Sequence, residues 1–101
     1  MGRYKYHDDW EVSYQYDCHF FVKCRSLKDA LWIASLKDDN SLITVHADCE
    51  HDGVKTTAHV GIRIREARGK SISEIIELFD IQVDEYIACR VRQDKWGHET
   101  A

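Results

Sequence analysis

The side chains here with most chemistry to offer are four cysteines and six histidines. The densest group is His46, Asp48, Cys49 and His51. Zinc takes about four N or S ligands that converge tetrahedrally, usually from two close pairs. On a strand, Cys49 and His51 would share one face while His46 and Asp48 point to the other. A second pair would have to be Cys18 with Cys24 or His19, and neither spacing matches the short C-x₂₋₄-C knuckle. The four cysteines fit inward positions as small hydrophobes instead, and no metal site is expected. Cys49 beside His51 also has the makings of a thiolate–imidazolium pair, which defines the alternative of a Cys/His metal or thiol protein. There is no G-x-S-x-G, no phosphate-cradling Gly-rich loop and no H-E-x-x-H. Asp8-Asp9 and Asp38-Asp39 fall in turn-like segments and read as solvated or capping residues. The chain is expected to be no enzyme and to need no cofactor.

A second kind of chemistry is recognition. Arg63, Arg65, Arg90, Arg92 and Lys23, with Phe21, His19 and His59, occupy positions that alternation would turn outward on a sheet. Together they would make a basic, partly aromatic face for an anionic partner, either nucleic acid or an acidic protein surface. Trp32 and Leu36, four apart on a helix, lie off its buried stripe. They are either covered by Tyr4 and Tyr6 of an N-terminal arm or offered to a protein partner.

Those positions depend on the elements that carry them. Trp10, Val12, Tyr14, Tyr16, Cys18, Phe20, Val22 and Cys24 recur at every second residue, which favours one long bent strand over two strands meeting near Asp17 to His19, and a bulge at Asp17 would reconcile the two. Ser26 follows as an N-cap, and Leu27, Ala30, Leu31 and Ala34 mark a helix over 27–37. Ile43, Val45, Ala47 and Cys49 alternate along a strand over 42–49. His51-Asp52-Gly53 is a hairpin signal, and Val54, Thr56, Ala58, Val60, Ile62 and Ile64 alternate beyond it. Ser71 with Glu74 forms a capping box ahead of Ile72, Ile75, Ile76 and Phe79. Ile87, Cys89 and Val91 suggest a last strand, with Ile81 and Val83 ahead of it. The order is then β-α-β-β-α-β. The fold class expected is α+β, ferredoxin-like, an antiparallel sheet with two helices on one face.

At 101 residues with 44% hydrophobic content, the chain reads as one domain with a real core. Residues 1–9 are expected to form a flexible arm and residues 10–101 the domain. The formal net charge of -4 argues against coating nucleic acid with the whole surface, while leaving room for a local basic face. No apolar run reaches the ~18 residues of a membrane span, and the first residues lack the apolar stretch of a secretory signal. A cytoplasmic location with reduced cysteines is expected. Long strand edges also suggest a homodimer.

The sheet layout resembles RNA-recognition and other ferredoxin-like binding modules, without their aromatic RNA-binding motif. Ser26-Leu27-Lys28-Asp29-Ala30-Leu31-Trp32-Ile33-Ala34-Ser35, following a strand, resembles strand–helix units of small phage inhibitors, including some anti-CRISPR proteins. The functional expectation is a small binding module that uses a basic sheet face on nucleic acid or a nucleoprotein. The alternative is a phage-type inhibitor of a host or defence protein.

Overall fold

The computed structural model describes residues 2–14, 17–37 and 39–100, with 17–20 and 92–100 described by their backbone alone. Eight elements follow in order: β1 (Lys5–Tyr6), β2 (Trp10–Tyr14), β3 (Asp17–Cys24), α1 (Leu27–Ser35), β4 (Ser41–His51), β5 (Val54–Arg63), α2 (Ile64–Ala67) and α3 (Ile72–Thr100). The fold is mixed α+β with an antiparallel sheet. Its strand order and helix count differ from the ferredoxin-like βαββαβ arrangement.

β4 is the hub. β5 pairs along one of its edges from Leu42 to His51. On the other edge β2 pairs with Ser41–Thr44 and β1 with Ala47 and Asp48. β2 in turn pairs with β3, so β3 and β4 run parallel with β2 between them, and α1 makes the crossover. The stretch expected as one long strand is therefore a hairpin. Its register sets Trp10 opposite Cys24 and Val12 opposite Val22. From Trp10 to Ser13 even positions face even positions, so these strands carry the same parity that a single strand would. A register shift between Ser13 and Tyr14 is the irregularity expected near Asp17.

The expected last strand is absent, because α3 runs on to Thr100. Ile75, Ile76, Phe79 and Val83 are buried, and Tyr86 and Ile87 pack against the core. That spacing is helical throughout, and no proline or glycine interrupts it before Gly97. The capping box that starts α3 is formed. Ser71 N–H donates to Glu74 Oε1 at 3.0 Å and Glu74 N–H to Ser71 Oγ at 3.2 Å. Hydrogen bonding from the Ser71 backbone, and then from its side chain, holds the exposed Glu74 carboxyl below its ordinary value. At α1, Asp29 N–H donates to Ser26 Oγ at 3.2 Å.

One face of the sheet carries the core. Trp10, Val12, Ile43, Val45, Ala47, Ala58, Val60 and Ile62 meet α1 residues Leu27, Ala30 and Ala34 and α3 residues Ile75, Phe79 and Val83. Phe79 sits edge-on to Trp10 at 5.4 Å and to Tyr6 at 6.2 Å between ring centroids. The N-terminal segment lies across this body, with Tyr6 in the sheet through β1. Tyr6 Oη donates to the buried Asp80 at 2.6 Å. Arg3 N–H also donates to Asp80, at 3.2 Å, and both Tyr4 Oη and the Arg3 guanidinium bond to Asp84.

Two details fix the β4–β5 hairpin. Asp52 and Gly53 both have positive φ, 52° and 76°, the two-residue turn whose twist matches antiparallel strands. Gly53→Ala is expected to cost about 1 kcal/mol, because alanine resists that φ. Urea denaturation reads this directly, and an unchanged midpoint would contradict it. Further along, Gly61 N–H donates to Gln82 Oε1 of α3 at 2.9 Å, pointing away from β4. This bond occupies part of the β5 edge that suggested a dimer. β3 has β2 as its one strand neighbour among the described residues.

Candidate functional site

The sheet face away from the helices is uncovered by any described element. Strand alternation puts Phe21 and Lys23 of β3, Glu11 and Ser13 of β2, and the even residues of β4 on it. The odd residues of β5 join them. One row crosses the sheet as Phe21, Ser13, Leu42 and Arg63, and the next as Lys23, Glu11, Thr44 and Gly61. His46 with His59, then Lys5, Asp48 and Thr57, make the following rows.

Half of the expected basic face is here. Phe21 is 58% exposed, Lys23 and His59 are exposed, and Arg63 is half-buried at the end of β5. The remaining arginines are elsewhere. Arg65 is exposed on α2, and Arg90 is exposed on α3. Arg92 also belongs to α3 by its backbone, and its side chain lies outside the described residues. α3 packs on the opposite side of the sheet, so Arg90 and Arg92 leave the face because the strand that would have carried them is helix. His19 lies in β3 by its backbone, and its side chain too is outside the described residues. What remains is mixed in charge: Lys5, Lys23, Lys55 and Arg63 interleave with Glu11, Asp48 and Glu50.

Trp32 and Leu36 are 65% and 63% exposed. The arm does not cover them, because Tyr4 and Tyr6 are engaged with Asp84 and Asp80 of α3. Of the chemistry expected around Cys49, the structure keeps one part: Cys49 and His51 lie on the same side of β4. Cys49 is buried, and burial, with Asp48 adding to it, pushes its thiol up and disfavours the thiolate. Burial likewise raises the Cys24 thiol, with Asp29 contributing. Among the described residues no group of three or more His, Cys, Asp or Glu side chains converges to hold a metal ion. Among the described residues no helix is long and apolar enough to cross a membrane.

A polar constellation on the open face escapes the local sequence patterns. His46 and His59 are stacked, 4.5 Å between centroids and 11° between planes. His46 Nδ1 lies 2.5 Å from Asp9 Oδ2. His7 Nε2 lies 2.6 Å from Asp48 Oδ1, and the His7 ring is 6.3 Å from that of His46. The kink between β1 and β2 delivers Asp9 to His46. One signal for the histidine pair does exist in the sequence: a two-residue turn at Asp52-Gly53 pairs 51 with 54 and therefore 46 with 59.

Comparisons with protein-family models, with curated proteins and with solved structures gave no match.

Proposed function

We propose that the protein is a non-catalytic binding module that engages nucleic acid, or a nucleoprotein, through the open face of its sheet. The observation that carries this reading is the exposed Phe21 beside Lys23 on an antiparallel face that no other described element covers, with Arg63 at the far end of its row. An aromatic ring with flanking cations suits an unpaired base and its phosphates. Glu11 and Asp48 among the cations disfavour a long duplex tract and favour a short single-stranded segment.

Fluorescence anisotropy with a labelled single-stranded oligonucleotide tests it. Phe21→Ala is expected to weaken binding by ~1–3 kcal/mol, the worth of one stacked base. Lys23→Glu and Arg63→Glu are expected to lower the log–log salt dependence by about 0.7 for each phosphate no longer neutralised. No oligonucleotide binding, or binding indifferent to all three changes, would discard the reading.

The phage-type inhibitor reading has its own support in Trp32 and Leu36, an apolar pair on the outer side of α1 that the arm leaves bare. Under it the partner is a protein. Capture would then survive nuclease treatment and be lost on Trp32→Ala while Phe21→Ala leaves it intact.

A further inference from the structure

We propose that His46 and His59 form a cross-strand site for a divalent transition-metal ion of the imidazole-binding class, such as zinc or nickel. Both ligands stand on the β4–β5 hairpin, and the site does not rest on the open face binding a macromolecule.

The backbone sets the two rings side by side. Gly61 N–H points outward to Gln82, and amides two residues apart on a strand share a direction. His59 therefore faces His46 across a non-hydrogen-bonded pair, the position in an antiparallel ladder where opposing side chains come closest. The 4.5 Å stacking of the rings is the result.

The ring chemistry then favours a metal. Asp9 Oδ2, a carboxylate oxygen, accepts from His46 Nδ1, 2.5 Å away, so that nitrogen carries the proton. Neutral His46 is left with its lone pair on Nε2. A carboxylate on the far nitrogen is the support that metal-ligating histidines commonly have, fixing tautomer and ring orientation and raising basicity. His59 has no hydrogen-bond or ion-pair partner among the described residues, so its ring is free to turn about its Cβ–Cγ bond. That turn brings a nitrogen from each ring to one ion.

The setting suits a cation as well. Asp9 lies directly behind His46, and Asp48 occupies the next row beside His7. On the other side of the pair, Gly61 contributes no side chain. His46 and Asp9 are 43% and 42% exposed, which leaves the remaining coordination positions to water. Two imidazoles with water suit ions that accept nitrogen donors in more than one geometry.

Isothermal titration calorimetry of the full chain with Zn²⁺ and with Ni²⁺, followed by NMR of the histidine ring protons, tests the site. The expected result is one ion per chain, with the ring signals of His46 and His59 moving together. His59→Ala is expected to abolish stoichiometric binding, and Asp9→Asn to weaken it roughly 10–100-fold. His59 is exposed and Asp9 half-buried, and circular dichroism verifies that the variants fold. Cys49→Ser and His51→Ala are expected to leave binding unchanged. Absence of stoichiometric binding would overturn the proposal. So would binding that survives His59→Ala, or binding abolished by Cys49→Ser or His51→Ala, since either locates the ion elsewhere.

Discussion

Phe79→Ala is expected to destabilise the fold by ~3–5 kcal/mol, the range for removing a buried aromatic ring. Phe79 is fully buried and edge-on to both Trp10 and Tyr6. The substitution opens a cavity where α3, β2 and β1 meet, and the rigid strands cannot collapse into it. In a domain whose whole stability is ~5–15 kcal/mol, that is a large share. Urea denaturation should show a much lower midpoint with an unchanged slope. Trp32→Ala is the comparison, because its ring is 65% exposed and surface changes stay within about 0.5 kcal/mol. If the two substitutions cost the same, the core is not where the structure puts it.

The next largest effect should come from Asp80→Ala. This carboxylate is 4% exposed and accepts from the Tyr6 hydroxyl and the Arg3 amide. Removing it strands a partly buried phenol, at an expected cost of ~1–3 kcal/mol. The same contacts give a pH signature. Burial first, and then the bond to Asp80, drive the Tyr6 phenol far above its ordinary value of 10.0. The bond to Asp84 and burial push Tyr4 up to about 12. A raised phenol pKa stabilises the fold fully below the unfolded value and progressively less as pH rises toward the folded one. Stability should therefore decline from about pH 10 upward. Tyr6→Phe should make that decline shallower. An alkaline limb identical in wild type and Tyr6→Phe would show that the phenol is not held as described.

Local signals in the sequence are legible wherever a single element determines them. Ser26, the Asp52-Gly53 turn and the Ser71/Glu74 box each end or begin an element where their chemistry says they should. The faces of β4 and β5 also follow their alternation. What alternation does not encode is connectivity. Trp10 and Cys24 share a face whether the chain between them is straight or doubled back, so the β2–β3 hairpin leaves no mark on the pattern. Ile87, Cys89 and Val91 give a two-residue period too short to outweigh the helical one beginning at Ile75, and the outward positions of Arg90 and Arg92 hang on that strand. The site suffers accordingly. Phe21, Lys23, His59 and Arg63 come from strands whose parity is right, and Arg65 and Arg90 from residues that are helical. The Asp9–His46 contact crosses 37 positions and depends on the β1–β2 kink, which no local pattern announces.

β4 has strand neighbours on both edges, with β1 and β2 in tandem along one and β5 along the other. No intact sheet survives its departure, whereas β3 can leave with only β2 exposed. The molecule should thus come apart from its margins inward, in graded partial openings at β1 and β3 and a single concerted event at β4. His46 rides on that last strand to yield. A ligand at the centre of the open face would be held by the most cooperative part of the chain, while one at Phe21 would sit on the part that opens first.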